Sequence, residues 1–219
     1  SINAESRYES ARQIVQDALL VHPQINLIFA INDSTALGAL DTCRELEIDP
    51  SNMTVLTFGI EGKTMINEIM RQHTYCKAGL AMFPEIVGGV CMREAIAAYN
   101  HQPQKKNIIT PHTILTQENL DKYYTKKDSD WVFNWENAQQ TMGLPVNIIR
   151  GQIKADSYPN KMGLVVPFSE HEWYKSLTNI LQERAKNNGI DLQVIDADDC
   201  IHDEIILRRS QIAKKAASL

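Results

Sequence analysis

The stretch INLIFAINDSTALGAL, residues 25–40, organises the whole chain. Its first seven residues form a continuous apolar run, which is typical of a strand buried on both faces of a parallel sheet. The run stops at Asn32 and Asp33, and small helix-forming residues follow, with Asp33 or Ser34 as the expected helix cap. The pattern predicts a strand that leads directly into a helix.

Asn32 and Asp33 are therefore expected at the carboxyl end of a central strand, where open α/β sheets bind ligands. Their amide and carboxylate groups offer donors and acceptors that suit a hydroxylated ligand. The alternative is that both residues only form the turn between strand and helix. The local pattern leaves the two interpretations open.

Composition excludes several classes of protein. The chain has 219 residues, 43% hydrophobic and 22% charged, which is ordinary for a globular protein. A net charge of −5 gives no basic footprint for nucleic acid. No apolar run approaches the roughly 18–20 residues of a membrane span. The four cysteines form no CxxC pair, so we expect small apolar core residues rather than a zinc site: Cys43, Cys76, Cys91 and Cys200.

Helical and strand patterns alternate on both sides of the organising stretch. Predicted helices cover residues 6–21, 34–46, 62–72 and 84–99, and further strands cover residues 53–58, 78–83 and 108–115. This alternation predicts an α/β fold with three layers, α/β/α, around a parallel sheet. We assign residues 1–125 to this lobe.

The rest of the chain reads differently. Residues 126–160 mix charges and aromatics without a clear period, so we expect an irregular connector containing at most one short helix. From residue 161 to 219 the alternation resumes, with predicted strands at 162–167 and 192–196 and helices at 172–188 and 203–218. We interpret this segment as the truncated start of a second α/β unit, and we expect the chain to be a fragment of a longer protein.

The sequence contains no catalytic constellation. The motif GIEGKT, residues 59–64, lacks the first glycine of a phosphate-binding loop, because Thr57 stands in that position. No nucleophile has an adjacent base, and the histidines have no metal spacing. We expect neither enzymatic activity nor a metal or cofactor.

Four segments in sequence order carry a resemblance to a known family. They are ALLVHPQINLIFAINDSTALGALDTCREL, MTVLTFGIEG, KAGLAMFPEIVGG and ITPHTILTQENLDKYY, which begin at residues 18, 53, 77 and 109. Together they resemble the second lobe of type I periplasmic binding proteins of the ribose-binding kind. The resemblance implies a two-lobed fold that closes on a carbohydrate in the cleft.

The carry-over of ligand-binding residues is uneven. The family's strand-end asparagine falls on Asn32, but its aspartate falls on Gly59 and its glutamine on Met82 or Phe83. Glu61 is the candidate to replace the lost carboxylate. Because the aspartate and the glutamine of the family are absent here, the sequence leaves open a ligand that is smaller or less polar than ribose. It also leaves open a degenerate site.

Residues 161–199 are similar to the opening of another such domain. The family places aromatic residues after its first strand, and here His171, Trp173 and Tyr174 occupy that stretch. The resemblance implies a sugar platform, because aromatic faces pack on the C–H face of a sugar. The alternative is an aromatic pair packed in a core.

Two functions follow from the resemblance. Residues 203–219 are similar to the entry of a DeoR-type effector domain, which favours the sensor part of a sugar-responsive transcription regulator with a DNA-binding domain, in the cytoplasm. The alternative is the solute-binding component of a sugar ABC uptake transporter, with a permease as partner, in the periplasm or outside the cell. Both require a small carbohydrate and the other lobe of the domain. The compartment stays open.

Overall fold

The structure, a computed structural model, describes residues 2–143, 153–167, 169 and 171–197. The chain divides into two compact units. The first comprises Ser1–Phe83 and Pro111–Met142, and the second comprises Pro84–Thr110 and Gly143–Leu219. Each unit is described by itself below.

The first unit is built on a mixed sheet of four strands in the order β1-β2-β3-β4. β1, β2 and β3 run parallel, and β4 pairs antiparallel with β3. Helices flank this sheet, so the predicted α/β class with mainly parallel pairing is confirmed. The elements are α1 (Tyr8–Val21), β1 (Leu27–Ala30), α2 (Asp33–Glu45), β2 (Thr54–Phe58), α3 (Gly62–Ile69), β3 (Cys76–Ala81) and β4 (Thr113–Leu115).

The prediction that residues 25–31 are buried on both faces is wrong. β1 is an edge strand, and Leu27, Phe29 and Ile31 are 54%, 64% and 61% exposed. Ala30 is buried on the opposite face, where α2 packs. The apolar run shows only that these side chains are hydrophobic. Whether each face of the strand is buried depends on residues far away in sequence.

α1 and α2 pack closely because residue 38 is glycine. A Cβ atom at Gly38 would lie 2.5 Å from the carbonyl oxygen of Tyr8 and 3.0 Å from the amide nitrogen of Arg12. The Tyr8 hydroxyl donates to Asp41 Oδ2 at 2.6 Å across the same interface, and this bond raises the pKa of Tyr8 to about 12. The helix pair thus depends on contact between backbones.

Residues 124–142 are more regular than the expected connector. They form a hairpin of β5 (Tyr124–Lys127) and β6 (Asp130–Phe133), followed by α5 (Trp135–Met142). The Phe133 ring lies 5.6 Å from Phe83 and 5.5 Å from Tyr124, between ring centroids. Distant aromatic packing therefore orders a segment whose local pattern is weak.

The second unit contains α4 (Pro84–Tyr99), β7 (Lys161–Val166), α6 (Glu172–Asn187) and β8 (Asp191–Asp196). β7 and β8 pair in parallel, and the predicted strand–helix–strand order is confirmed. α4 packs on α6 through a core of Met92, Ile96, Leu177, Leu181, Ala185 and Ile190. The predicted helix at 203–218 lies outside the described residues. The domain bounds drawn from the sequence stay a prediction, although the structure groups α4 with the later strands.

The three cysteines of the described residues fall into two groups, and Cys200 lies outside the described residues. Cys43 and Cys76 are fully buried, as expected. Cys91 is exposed on α4, so the expectation of a core position is wrong for this residue. Position along an apolar helix does not reveal which side faces the core, because α4 carries apolar residues around most of its circumference.

Candidate functional site

The carboxyl ends of the three parallel strands meet at one edge of the first unit's sheet. Asn32 follows β1, Gly59 follows β2 and Met82 follows β3. A Cβ atom at Gly59 would lie 3.0 Å from Glu61 Oε2, 3.4 Å from the Asp33 nitrogen and 3.9 Å from the Asn32 Cα. The structure thus brings the predicted residues Asn32, Asp33 and Glu61 together.

Asn32 shapes the start of α2. Its Oδ1 accepts a hydrogen bond from the Thr35 N–H at 2.8 Å, and its own N–H donates to Thr35 Oγ1 at 3.2 Å. These reciprocal bonds form a capping box, so Asn32 is the helix cap and the expectation that Asp33 or Ser34 fills that role is wrong. The Asn32 Nδ2 donates to the Ser6 carbonyl at 3.2 Å. Asn32 therefore does form the turn between β1 and α2, which was one of the two interpretations of the sequence. Its half-buried side chain also borders the carboxyl edge of the sheet.

Asp33 lies beneath Asn32 in the first turn of α2. Its side chain is almost completely buried, and Oδ1 accepts from the Ser34 N–H at 2.8 Å. A carboxylate in this position interacts favourably with the positive end of the helix dipole. Asp33 therefore places a carboxyl group in the first turn of α2, next to Asn32.

Glu61 reaches back over Gly59. Its Oε1 accepts from the Met82 N–H at 3.0 Å, which ties the segment after β2 to the end of β3. Its Oε2 lies beside the place where a side chain at residue 59 would begin. Gly59 has φ +121°, a conformation that suits glycine. The Glu61 carboxylate thus lies beside the position where a side chain at residue 59 would stand, and its replacement of the family's aspartate stays a prediction.

The chemistry of this edge is that of a hydrogen-bond acceptor. Asn32, Asp33 and Glu61 lie near one another there, and their side-chain oxygens are of the kind that accepts hydrogen bonds from hydroxyl groups. Asp33 and Glu61 are 1% and 2% exposed, whereas Asn32 is half-buried. A ligand at this edge would meet Asn32 first. Within the described residues, no three His, Cys, Asp or Glu side chains are placed to hold a metal ion.

The second unit places His171, Trp173 and Tyr174 at the start of α6. His171 caps this helix, with Nδ1 accepting from the Trp173 N–H at 3.2 Å. The Tyr174 ring centroid lies 5.9 Å from that of His171 and 5.2 Å from that of Trp173. Trp173 also packs against the hydrophobic core of the unit. This contact supports the packing alternative for Trp173.

Sequence reasoning missed one contact at the end of the second sheet. Ser169 follows β7, and its backbone N–H donates to Asp196 Oδ2, at the end of β8, at 3.1 Å. The Ser169 hydroxyl donates to the same oxygen. An acidic residue ending a predicted strand was the available signal, because parallel neighbours bring their carboxyl ends together.

Comparison with known proteins gives structural matches only. No protein-family model and no curated protein matches the chain. The structure is similar to an ABC transporter periplasmic solute-binding protein from Actinobacillus succinogenes 130z with bound D-allose, with a TM-score of 0.51 and 20% identity over 56% of this chain and 42% of that chain. It is also similar to the 5-methylthioribose transporter solute-binding protein from Thermotoga lettingae TMO in complex with 5-methylthioribose, with a TM-score of 0.52 and 15% identity over 80% of this chain and 46% of that chain.

The chain therefore spans less than half the length of each of these structures. At such low identity a likeness shows the fold and carries no residue roles. In the part of the chain that the structure describes, no helix has the length and apolar character needed to cross a bilayer. The structure therefore shares the α/β fold of these periplasmic solute-binding proteins.

Proposed function

We propose that this chain contributes a carbohydrate-binding lobe to the solute-binding component of a sugar ABC uptake transporter. The observation that carries the proposal is the convergence of Asn32, Asp33 and Glu61 at the carboxyl edge of a parallel sheet. The bound D-allose and 5-methylthioribose of the two similar structures support a carbohydrate as ligand.

In this proposal the ligand lies between the acceptor-rich edge and a second lobe. Sugar hydroxyls donate hydrogen bonds to the edge, and the second lobe closes over the other side of the ring. Closure shifts a two-state population toward the form that a permease recognises. Binding and release make and break no covalent bond, so the proposed function is not enzymatic. The location is then periplasmic or extracellular.

The similar structures favour uptake over regulation. Both are solute-binding proteins of transporters. The regulator interpretation, with its DNA-binding domain, depends on residues 203–219, which lie outside the described residues. We therefore favour the transport function and keep the sensor function as the alternative.

The second unit carries a weaker candidate site. His171 and Tyr174 stand at the start of α6 and are proposed as ligand contacts for a carbohydrate. Trp173 is also proposed as a ligand contact, although its packing on the hydrophobic core leaves less of its ring available to a sugar. The edge at Asn32 is the site on which the function is tested.

The test uses Asn32→Ser in the intact protein that carries this lobe. Serine is also a good helix cap, so the start of α2 is kept while the amide group is lost. Isothermal titration with D-allose, D-ribose and 5-methylthioribose should show affinity at least about tenfold weaker than wild type, the effect of losing a hydrogen bond worth about 1.4 kcal/mol.

Asn52→Ser provides the matched control, because Asn52 is exposed in the turn that precedes β2, at the other end of the strand. It should leave sugar affinity unchanged. Equal affinities for Asn32→Ser and wild type would remove Asn32 from the site. Absence of heat and of thermal stabilisation with every carbohydrate tried would refute the proposed function.

A further inference from the structure

The second unit contains a cavity of about 420 Å³ beside the second half of α4. Three segments of the chain form its walls: α4 itself, the segment at 102–105 that follows this helix, and the segment at 153–155. Sites for small molecules usually have volumes of roughly 300–1,000 Å³. The cavity is therefore large enough for a small ligand, and it lies in a different unit from the edge at Asn32.

Each of the three segments contributes one cation to the cavity. Arg93 comes from α4, Lys105 from the segment after the helix, and Lys154 from the third segment. Among the described residues that line the cavity, Glu94 is the one carboxylate. Three cations against one carboxylate leave an excess of positive charge, and a concave site with such an excess attracts an anion.

The ion pair between Arg93 and Glu94 uses only part of the guanidinium. Nε and Nη2 of Arg93 donate to Glu94 Oε1 at 2.8 and 2.6 Å. A guanidinium has more N–H groups than these two bonds need, and its planar fork suits the oxygens of a phosphate. Both side chains are half-buried, so the pair holds the guanidinium at the wall of the cavity.

Asn100 ties the third segment to the end of α4. Its Oδ1 accepts from the Ser157 N–H at 3.1 Å and from the Ser157 hydroxyl at 2.9 Å. Its Nδ2 donates to the carbonyls of Ser157 and Ile96, both at 2.8 Å. These bonds join the segment that carries Lys154 to the helix that carries Arg93. Because the walls are held together before a ligand arrives, binding costs less conformational entropy.

Apolar side chains complete the lining. Ile96 is buried in the core of the unit, and Ile153 and Ala155 pack against that core. Such side chains can contact the C–H groups of a ligand, whereas the cations can bind only its charged group. The cavity therefore fits a small organic molecule that carries an anionic group.

We propose that this cavity binds a small phosphate monoester, with the phosphate group between Arg93, Lys105 and Lys154. Such a group has a charge of about −1.5 to −2 at pH 7 and three acceptor oxygens. It matches three cations and one carboxylate better than a single carboxylate group does, since a carboxylate has one charge and two oxygens. The inference does not depend on the proposed carbohydrate site in the first unit.

Isothermal titration of the 219-residue chain with glycerol 3-phosphate tests the proposal. This ester has no sugar ring, and it should bind with a Kd below about 1 mM. Lys154→Gln should weaken binding at least about tenfold, because a charge-assisted hydrogen bond to the phosphate is lost. Lys106→Gln is the matched control, since exposed Lys106 follows Lys105 but does not line the cavity. It should change the affinity less than about twofold, because salt screens exposed charges.

Glu94→Gln should have the opposite effect and tighten binding about threefold or more, because it removes a negative charge from the cavity. Glycerol should give no heat, and succinate should bind at least about tenfold more weakly than the ester. Circular dichroism should show that the variants are folded. Absence of binding, equal affinities for Lys154→Gln and Lys106→Gln, weaker binding by Glu94→Gln, or equal affinities for succinate and glycerol 3-phosphate would each overturn the proposal.

Discussion

The backbone N–H of Met82 donates a hydrogen bond to Glu61 Oε1 at 3.0 Å, and this bond joins the ends of two parallel strands. Glu61 is 2% exposed, so the bond is formed away from solvent. Removing one partner of a buried bond to a charged group leaves the other partner unsatisfied. Glu61 therefore contributes to stability as well as to the candidate site.

Glu61→Ala should lower the free energy of unfolding by about 1.5–3 kcal/mol, measured by urea denaturation. Glu61→Gln keeps an acceptor oxygen and should cost less. Glu118→Ala is the matched control, because Glu118 is exposed before the 3₁₀ turn Leu120–Lys122. Coincident midpoints for Glu61→Ala and Glu118→Ala would show that the bond to Met82 contributes nothing.

Gly59 and Glu61 should be energetically coupled. Gly59→Ala places a Cβ atom 3.0 Å from Glu61 Oε2 and also strains a backbone at φ +121°. In the Glu61→Ala background the steric part of that cost disappears and the backbone part remains. A double-mutant cycle should therefore give a coupling of at least about 0.5 kcal/mol. Strict additivity would mean that the glutamate moves away without cost.

Gly38→Ala should destabilise the first unit by about 1–3 kcal/mol, because the new methyl group meets the backbone oxygen of Tyr8 at 2.5 Å. Gly88→Ala on α4 is a matched comparison, since it is also a helical glycine but meets side-chain atoms of Ile180, Cγ2 at 2.7 Å and Cβ at 3.1 Å, and no backbone atom of a neighbouring element. Both variants gain helix propensity, so the difference between their urea midpoints reports the backbone clash. A smaller loss at Gly38 than at Gly88 would contradict the close contact of α1 with α2.

Stability should fall at alkaline pH because of buried thiols. Burial raises the pKa of Cys43 to about 11 and that of Cys76 to about 12, from an ordinary value of 9.0. The folded state keeps these protons when the unfolded state loses them, so stability is fully present below pH 9 and is lost as the pH rises toward 11 and 12. Tm measured at pH 8 and at pH 10.5 should show the decrease.

Cys76→Ala should reduce the alkaline decrease in Tm, because the proton that distinguishes the two states is gone. Thiol labelling at neutral pH offers a separate check: exposed Cys91 should react in the folded protein, whereas Cys43 and Cys76 should react only after unfolding. An identical pH profile for wild type and Cys76→Ala would exclude this thiol as a cause.

Local patterns predicted much of the element order. Pro84 begins α4 and Gly189, at φ +69°, follows the end of α6, both at the positions expected from the sequence. Proline is favoured in the first turn of a helix and glycine just past its end for reasons of backbone geometry that act within a few residues. The same holds for the strand and helix at residues 25–40, apart from the identity of the cap.

The candidate site was predictable in part. Asn32 and Asp33 follow an apolar strand, and the sequence alone places them at its end. The sequence indicates Glu61 as a candidate to replace the lost carboxylate. It does not predict that Glu61 bends back over Gly59 and accepts a hydrogen bond from the Met82 N–H. Such contacts depend on the register between β2 and β3, which no local pattern specifies.

The sequence by itself determined the alternation of helices and strands, because hydrophobic period and end-capping residues act over a few positions. Only the tertiary structure decided that β1 lies at the edge of its sheet, that Phe29 faces solvent, and that residues 124–133 form a hairpin held by Phe83. Those features depend on which distant segments become neighbours. Burial and strand pairing depend on contacts between residues far apart in the chain, and a local sequence pattern does not describe those contacts.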